Sequence, residues 1–131
     1  MNKKETLEQR SKRILDQLAK HYLGKKAYDL DGRGLHFVCE VEPVEEHPEY
    51  DRAVEVIISS KPHKHNKMVQ VYTILKGNLE VHINNEVIQL KKGDKYTVNP
   101  PKVHWAKSND ECWLEIYSEP GWAKEDHIVV E

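Results

Sequence analysis

Four side chains that can ligate a metal ion fall within 42 residues of the sequence. His63 and His65 are separated by one residue, so their imidazoles point to the same side of an extended chain. Gln70 follows five positions later, and His104 comes after a Gly-Asp turn and a double proline. Neutral imidazole is the commonest protein ligand for transition metals, and an amide oxygen can complete the set. The four residues predict one divalent metal ion, with Zn, Ni, Mn and Fe all open.

The spacing of these residues resembles the two motifs of the cupin superfamily. The first motif is a His-x-His pair followed by an acidic residue and a glycine, and the second contains a glycine and a later histidine. Both are matched at the family's spacing by His63, His65, Gln70, Gly77, Gly93 and His104. The resemblance covers about residues 57–117 and implies a cupin-type jelly-roll barrel with His63, His65, Gln70 and His104 as metal ligands.

Several positions depart from the family pattern. The first glycine is missing near Ile57, and Asn99, Pro101 and Ser108 replace residues of the second motif. Gln70 stands where the family usually has glutamate. A neutral glutamine leaves the double positive charge of the ion uncompensated, which favours a Lewis acid that polarises a substrate oxygen. It does not match the two-histidine, one-carboxylate triad of many iron oxygenases.

A subset of cupins uses three histidines and a glutamine. It includes the small uronate-catabolic cupin of pectin breakdown, which promotes ring opening of unsaturated sugar acids. The tail of that protein has an acidic residue and an aromatic residue ahead of a proline, and Glu115, Tyr117 and Pro120 are similar. The resemblance implies an enzyme that isomerises, epimerises or ring-opens a small carbohydrate or sugar acid. Glu115, Tyr117 and Tyr72 are the candidate catalytic residues. The alternatives are that Glu115 is a surface charge, if its face of the strand meets solvent, and that Tyr72 only lines the barrel, which is the commoner role of such an aromatic.

Two other functions fit the same ligands. An iron-dependent dioxygenase is one, since three-histidine iron sites also occur among cupins, and a non-catalytic module that binds a metal or sugar is the other. Four lysines flank the ligands and form either a rim that attracts an anionic substrate or a solvated surface: Lys64, Lys67, Lys102 and Lys107. The remaining histidines have no partner at metal-ligand spacing and are interpreted as structural or surface residues, among them His36, His82 and His127.

The elements around these residues predict an all-β domain preceded by one amphipathic helix. Thr6 and Gln9 have the form of a capping box, and an apolar stripe at helical spacing follows within about residues 6–24. Alternating apolar residues separated by Gly, Asn and Asp turns then continue over about residues 35–119, which is typical of a barrel or sandwich. We interpret residues 1–131 as a single cupin domain.

Composition excludes several classes of function. The 131 residues are 32% charged with a net charge of −2, so a basic surface for nucleic acid is not expected. No apolar run approaches the ~20 residues of a membrane span, and the charged start of the chain predicts a cytoplasmic protein. Cys39 and Cys112 are expected to be buried free thiols. The apolar helix stripe and the strand that follows it predict a homodimer.

Overall fold

The computed structural model describes residues 5–130. Residues 1–4, whose charge entered the prediction of a cytoplasmic location, lie outside the described range. Within that range, one helix and ten strands follow one another: α1 (Leu7–His21), β1 (Lys26–Asp29), β2 (His36–Glu42), β3 (Asp51–Ser59), β4 (His63–Lys64), β5 (Val69–Lys76), β6 (Asn78–Ile83), β7 (Glu86–Lys91), β8 (Lys95–Val98), β9 (His104–Glu119) and β10 (Ile128–Val129). A 3-10 turn at Lys124–Asp126 precedes β10.

Helix α1 begins at the capping box that the sequence predicts. The Thr6 hydroxyl accepts the backbone N–H of Gln9 at 3.0 Å, and the Gln9 side-chain oxygen accepts the Thr6 N–H at 2.9 Å. Two N–H groups that have no partner inside the helix are thereby satisfied. Ile14 and Leu18 are the buried residues of the helix and face the sheet. The predicted N-terminal helix is confirmed.

The strands form one curled antiparallel sheet, which confirms the predicted all-β jelly-roll class. Its path runs β1-β2-β3-β9-β4-β10, with β5 and β6 also paired to β9, β8 paired to β5 and β7 paired to β6. Strand β9 is therefore bonded to β3, β4, β5 and β6. Strands β1 and β10 extend the sheet beyond the predicted 35–119, because strands of four and two residues are too short to show an alternating pattern.

Apolar side chains pack in two separate layers. One fills the barrel interior with residues from β3, β5, β6, β7, β8 and β9, including Tyr72, Leu79 and Leu114. The other lies between α1 and the outer face of β2 and β3: Ile14, Leu18, Phe37, Cys39, Val54 and Val56. The apolar stripe that suggested a homodimer is thus largely buried within the chain itself, and the dimer stays a prediction.

Two smaller expectations concern the membrane and the thiols. Among the described helices, none is long and apolar enough to cross a bilayer. Cys39 and Cys112 are both buried and free, as predicted. Burial raises the pKa of the Cys112 thiol to about 12, so this group is inert at neutral pH.

The turn between β5 and β6 gives a test of the fold. Gly77 has φ +88°, and a Cβ there would lie 2.6 Å from the Glu111 carbonyl oxygen. We expect Gly77→Ala to lower the free energy of unfolding by about 2–4 kcal/mol, because the energy of the strained backbone and the energy of this collision are summed. Gly93 is the matched control: its φ is +92°, but nothing lies within 4 Å of its Cβ position. Gly93→Ala should cost about 1–2 kcal/mol in urea unfolding, and equal losses in both variants would contradict the collision.

Candidate metal centre

Three of the predicted ligands are brought together by strand pairing. His63 in β4 is the Cα partner of His104, the first residue of β9. Their ring centroids are 4.2 Å apart. His65, just beyond β4, lies 5.1 Å from His63 and 5.6 Å from His104 by the same measure. All three residues are at least nine-tenths buried, so the sheet gathers the imidazoles in a site withdrawn from solvent.

Each of these imidazoles is held by a hydrogen bond from its Nδ1–H to a backbone carbonyl. A carbonyl can only accept, so Nδ1 carries the proton and Nε2 keeps a free lone pair. This arrangement is the usual support of a metal-ligating histidine, since it fixes both ring orientation and tautomer. The three bonds run from His63 to Lys61 at 2.8 Å, from His65 to Asp126 at 2.9 Å and from His104 to Lys102 at 3.0 Å.

Burial keeps the rings uncharged. Desolvation lowers the pKa of His63 to about 2, helped by the neighbouring His104, and lowers the pKa of His65 to about 4. The pKa of His104 is also lowered, again by burial. At neutral pH all three are neutral imidazoles, which is the form that binds a metal ion.

Three buried acceptor atoms of the predicted ligands have no hydrogen-bond partner. They are Nε2 of His65, Nε2 of His104 and Oε1 of Gln70, and within residues 5–130 the other buried side-chain polar atom without a partner is a donor, Nε–H of Arg10. Leaving a buried polar atom unpaired costs roughly 1–3 kcal/mol, so native proteins rarely collect several in one place. Neutral nitrogen and oxygen lone pairs are donors of the kind that a divalent cation accepts.

A fourth histidine, His127, belongs to the same cluster. One ring nitrogen from each of His63, His65 and His127 lies within 4.8 Å of the others. In the fold His127 therefore has partners at metal-ligand distance, which the sequence did not lead us to expect, and His104 is not a member of this group. His127 stands in a C-terminal segment whose return to β4 no local pattern predicts, and the only signal in the sequence is an Asp-His pair after the barrel strands.

A cavity of about 490 Å³ opens beside these rings, and its wall includes His63, His65, Gln70 and His127. Tyr72 also lines it, as predicted for a residue on the same face of β5 as Gln70. Burial raises the pKa of the Tyr72 phenol, so it stays protonated at neutral pH.

A carboxylate and an imidazole that the sequence did not single out share this wall. Nε2 of His36 lies 2.5 Å from Oε1 of Glu55, and their side chains are only 7% and 13% exposed. His36 thus has a place in the cavity, and Glu55 is a potential acid or base beside Tyr72 and the histidine cluster.

Two predicted catalytic residues lie on the opposite face of β9. Glu115 forms an ion pair with Arg52 at 2.8 Å, and the Tyr117 hydroxyl donates to Glu119 at 3.0 Å. Neither lines the cavity, because alternation along β9 turns Ile116 and Ser118 inward instead. The placement gives no support to the prediction that Glu115 and Tyr117 act on a substrate.

The family model of the cupin domain matches residues 54–117, from β3 through most of β9. Solved structures of similar fold cover up to 86% of the chain. Residues 54–117 are a cupin domain. The jelly roll, the buried histidines and the motif spacing agree with that assignment.

Three solved structures illustrate the similarity. Pac13 of Streptomyces, a nucleoside dehydratase, has a TM-score of 0.71 at 14% identity, covering 84% of this cupin and 88% of its own chain. KdgF from a Halomonas species has a TM-score of 0.65 at 16% identity, covering 76% and 89%. Ectoine synthase from P. lautus has a TM-score of 0.67 at 9% identity, covering 86% of both chains. At such identities these similarities establish the fold. No curated protein sequence matches the chain significantly.

The neutral histidines give a testable pH dependence of stability. In the unfolded chain the histidines have a pKa near 6.5. In the folded, metal-free protein the pKa is lowered to about 2 for His63 and to about 4 for His65. The unfolded state therefore binds more protons below pH 6.5, and the free energy of unfolding falls as pH falls. From about pH 7 to 5.5, the two histidines should remove about 2 kcal/mol in urea unfolding with chelator present.

The control is a His63→Gln, His65→Gln double variant, in which this part of the pH dependence should disappear. A double variant with the same pH dependence as the wild type would contradict the assignment of neutral rings.

Proposed function

We propose that this cupin is a divalent-metal-dependent enzyme that isomerises, epimerises or ring-opens a small, polar, carbohydrate-like molecule in the cavity. The observation that carries the proposal is the pairing of two groups in one wall. Buried neutral imidazoles hold free lone pairs on one part of it, and the carboxylate of Glu55 with its histidine partner lies on another. A Lewis-acid centre beside a proton-transfer group is what reactions α to a carbonyl or hydroxyl require.

The ligands in this proposal are His63, His65, Gln70 and His104. Two observations favour these ligands. The Nδ1–H of each histidine donates to a backbone carbonyl, and Nε2 of His65, Nε2 of His104 and Oε1 of Gln70 have no hydrogen-bond partner. A divalent ion held by them would supply Lewis-acid polarisation of a substrate oxygen. All four ligands are uncharged, so the ion would keep its full charge, and Zn, Ni, Mn and Fe remain open as its identity.

The residues of the chain divide the remaining work. Glu55 takes up or returns a proton of the substrate through its carboxylate, and His36 is a positioning residue that holds that carboxylate by the 2.5 Å contact. Tyr72 keeps its proton and can donate a hydrogen bond to a substrate oxygen in the same cavity. The apolar wall formed by Val38, Ile57 and other residues excludes bulk water.

The charge of the cavity wall bears on the substrate. Five carboxylates line it against two basic side chains: Glu40, Glu42, Glu45, Asp51 and Glu55 against Lys26 and Arg52. None of the lysines that suggested an anionic substrate, Lys64, Lys67, Lys102 and Lys107, is part of the wall. This balance favours a neutral or cationic molecule over a sugar acid. Structures of Streptomyces PAC13, a protein of similar fold, contain uridine, which is an uncharged molecule.

Metal content and turnover test the proposal. The purified cupin should hold about one equivalent of divalent metal, and a His65→Ala, His104→Ala double variant should hold none, by elemental analysis. The loaded protein is then incubated with neutral aldoses and ketoses, amino sugars and hexuronates, and products are followed by NMR. We expect turnover within the neutral or amino class without oxygen uptake. Oxygen consumption would indicate a dioxygenase instead, and no turnover in any class would indicate a binding module.

A matched pair of glutamates tests the acid–base assignment. Glu55→Gln should lower kcat by roughly 10²–10⁴ with metal content unchanged, because a glutamine keeps the shape but cannot exchange the proton. Glu115→Gln, on the outer face of β9, should stay within about twofold of the wild-type kcat. The reverse result, with Glu115→Gln inactive and Glu55→Gln active, would return the catalytic role to the residue that the sequence suggested.

A further inference from the structure

We infer that His127 is an additional metal ligand, delivered by a C-terminal strap (residues 121–130) whose docking on the barrel completes the metal centre. The inference rests on the proposed metal centre and goes beyond its four motif ligands. Its primary observation is geometric: one ring nitrogen of His127 lies within 4.8 Å of a ring nitrogen of His63 and one of His65. These are separations at which a single ion can bridge all three.

The strap is fixed to the barrel at its start. The backbone N–H of Gly121 donates to the Pro48 carbonyl at 2.9 Å, and the N–H of Trp122 donates to the Asp51 carboxylate at 2.5 Å. A Cβ on Gly121 would come within 2.3 Å of Val44, so the chain passes too close for any larger residue. The path of the strap is therefore set before it reaches the histidine cluster.

The end of the strap pairs with the strand that carries the first ligand. Ile128 and Val129 of β10 are Cα partners of Lys64 and His63 in β4. The N–H of Val130 then donates to the Pro62 carbonyl at 2.9 Å. His127 immediately precedes this pairing, so it is held beside His63, and the two rings stack with centroids 4.8 Å apart.

Asp126 joins the strap to the loop that carries the second ligand. Its carboxylate accepts the backbone N–H groups of Asn66, Lys67 and Met68 at 2.8–3.3 Å, and its carbonyl accepts Nδ1–H of His65 at 2.9 Å. Burial alone would raise the pKa of Asp126, but these N–H donors outweigh it and keep the pKa below its ordinary value. One residue thus orients His65 and positions the next residue, His127.

The imidazole of His127 is chemically suited to bind an ion. It is half-buried, and burial lowers its pKa, so the ring is neutral at pH 7. Its ring contacts are with His63, His65 and Trp122. Stacking on His63 is the competing role, because a stacked ring stabilises the strap without donating a lone pair. The two roles can be separated, because metal binding needs a ring nitrogen and stacking does not.

The experiment therefore replaces the nitrogen and keeps the ring. Wild type, His127→Phe and His127→Ala are titrated with Co²⁺ in competition with a chelator, and the visible absorption of bound Co²⁺ is recorded. His82→Phe is the control, since His82 stacks on Trp105 with centroids 4.0 Å apart and lies outside the cavity. We expect both His127 variants to bind Co²⁺ at least about tenfold more weakly, with a changed spectrum. His82→Phe should match the wild type.

Hydrogen exchange supplies a second readout that needs no substrate. Co²⁺ should slow amide exchange across residues 122–130 in the wild type and leave it unchanged in His127→Phe. Wild-type Co²⁺ affinity, spectrum and strap protection in His127→Phe would overturn the inference and leave the four-ligand centre intact. A wild-type chain that binds no Co²⁺ would instead overturn the proposed metal centre, and the strap inference with it.

Discussion

Strand β9 is bonded on both edges, and the site depends on that constraint. Its C-terminal half lies between β3 and β5, and its N-terminal half contacts β6 and the short β4. Backbone pairing therefore fixes the direction of every side chain along it, since a slip of one residue would exchange the two faces. The register puts His104 next to His63 and turns Ile116 and Ser118 toward the cavity. The same register keeps Glu115 out of the cavity wall, where it pairs with Arg52.

Without a bound cation, the buried histidine cluster lowers the stability of the folded state. Each imidazole gives its Nδ1–H to a backbone carbonyl, which leaves a lone pair on the other nitrogen with no protein partner. Two such nitrogens and one amide oxygen are fully withdrawn from solvent, and each unpaired buried atom costs roughly 1–3 kcal/mol. A cation bound between the rings would give such a nitrogen a partner. Its binding energy would then add to the stability of the folded state, since the unfolded chain has no preformed site.

The sequence predicts best the features that depend on local spacing. The capping box at Thr6 and the barrel class follow from local spacing, whereas the gathering of His63, His65 and His104 follows from the resemblance to the two cupin motifs. Glu55 was missed because both faces of β3 are covered. The apolar alternation in this strand marks Val54 and Val56, which pack under α1, whereas the polar alternate faces the cavity. Hydrophobic periodicity shows that two faces differ, and it does not show which of them lines the barrel.

His127 was missed for a different reason. Its place depends on a two-residue strand and on the Asp126 carboxylate bonded to a loop about 60 residues earlier in the chain, and neither has a local sequence signature.

The helix explains how so small a barrel can keep a polar interior. Part of the inner surface is given to histidines, carboxylates and Tyr72, which bury less apolar area than an ordinary core would. Ile14 and Leu18 of α1 cover the outer face of β2 and β3 and create a second apolar layer there. Fully burying such side chains contributes about 1.5–3 kcal/mol each. The outer layer thus offsets stability that the inner wall gives up, and the residues facing the cavity are left free to serve binding and proton transfer.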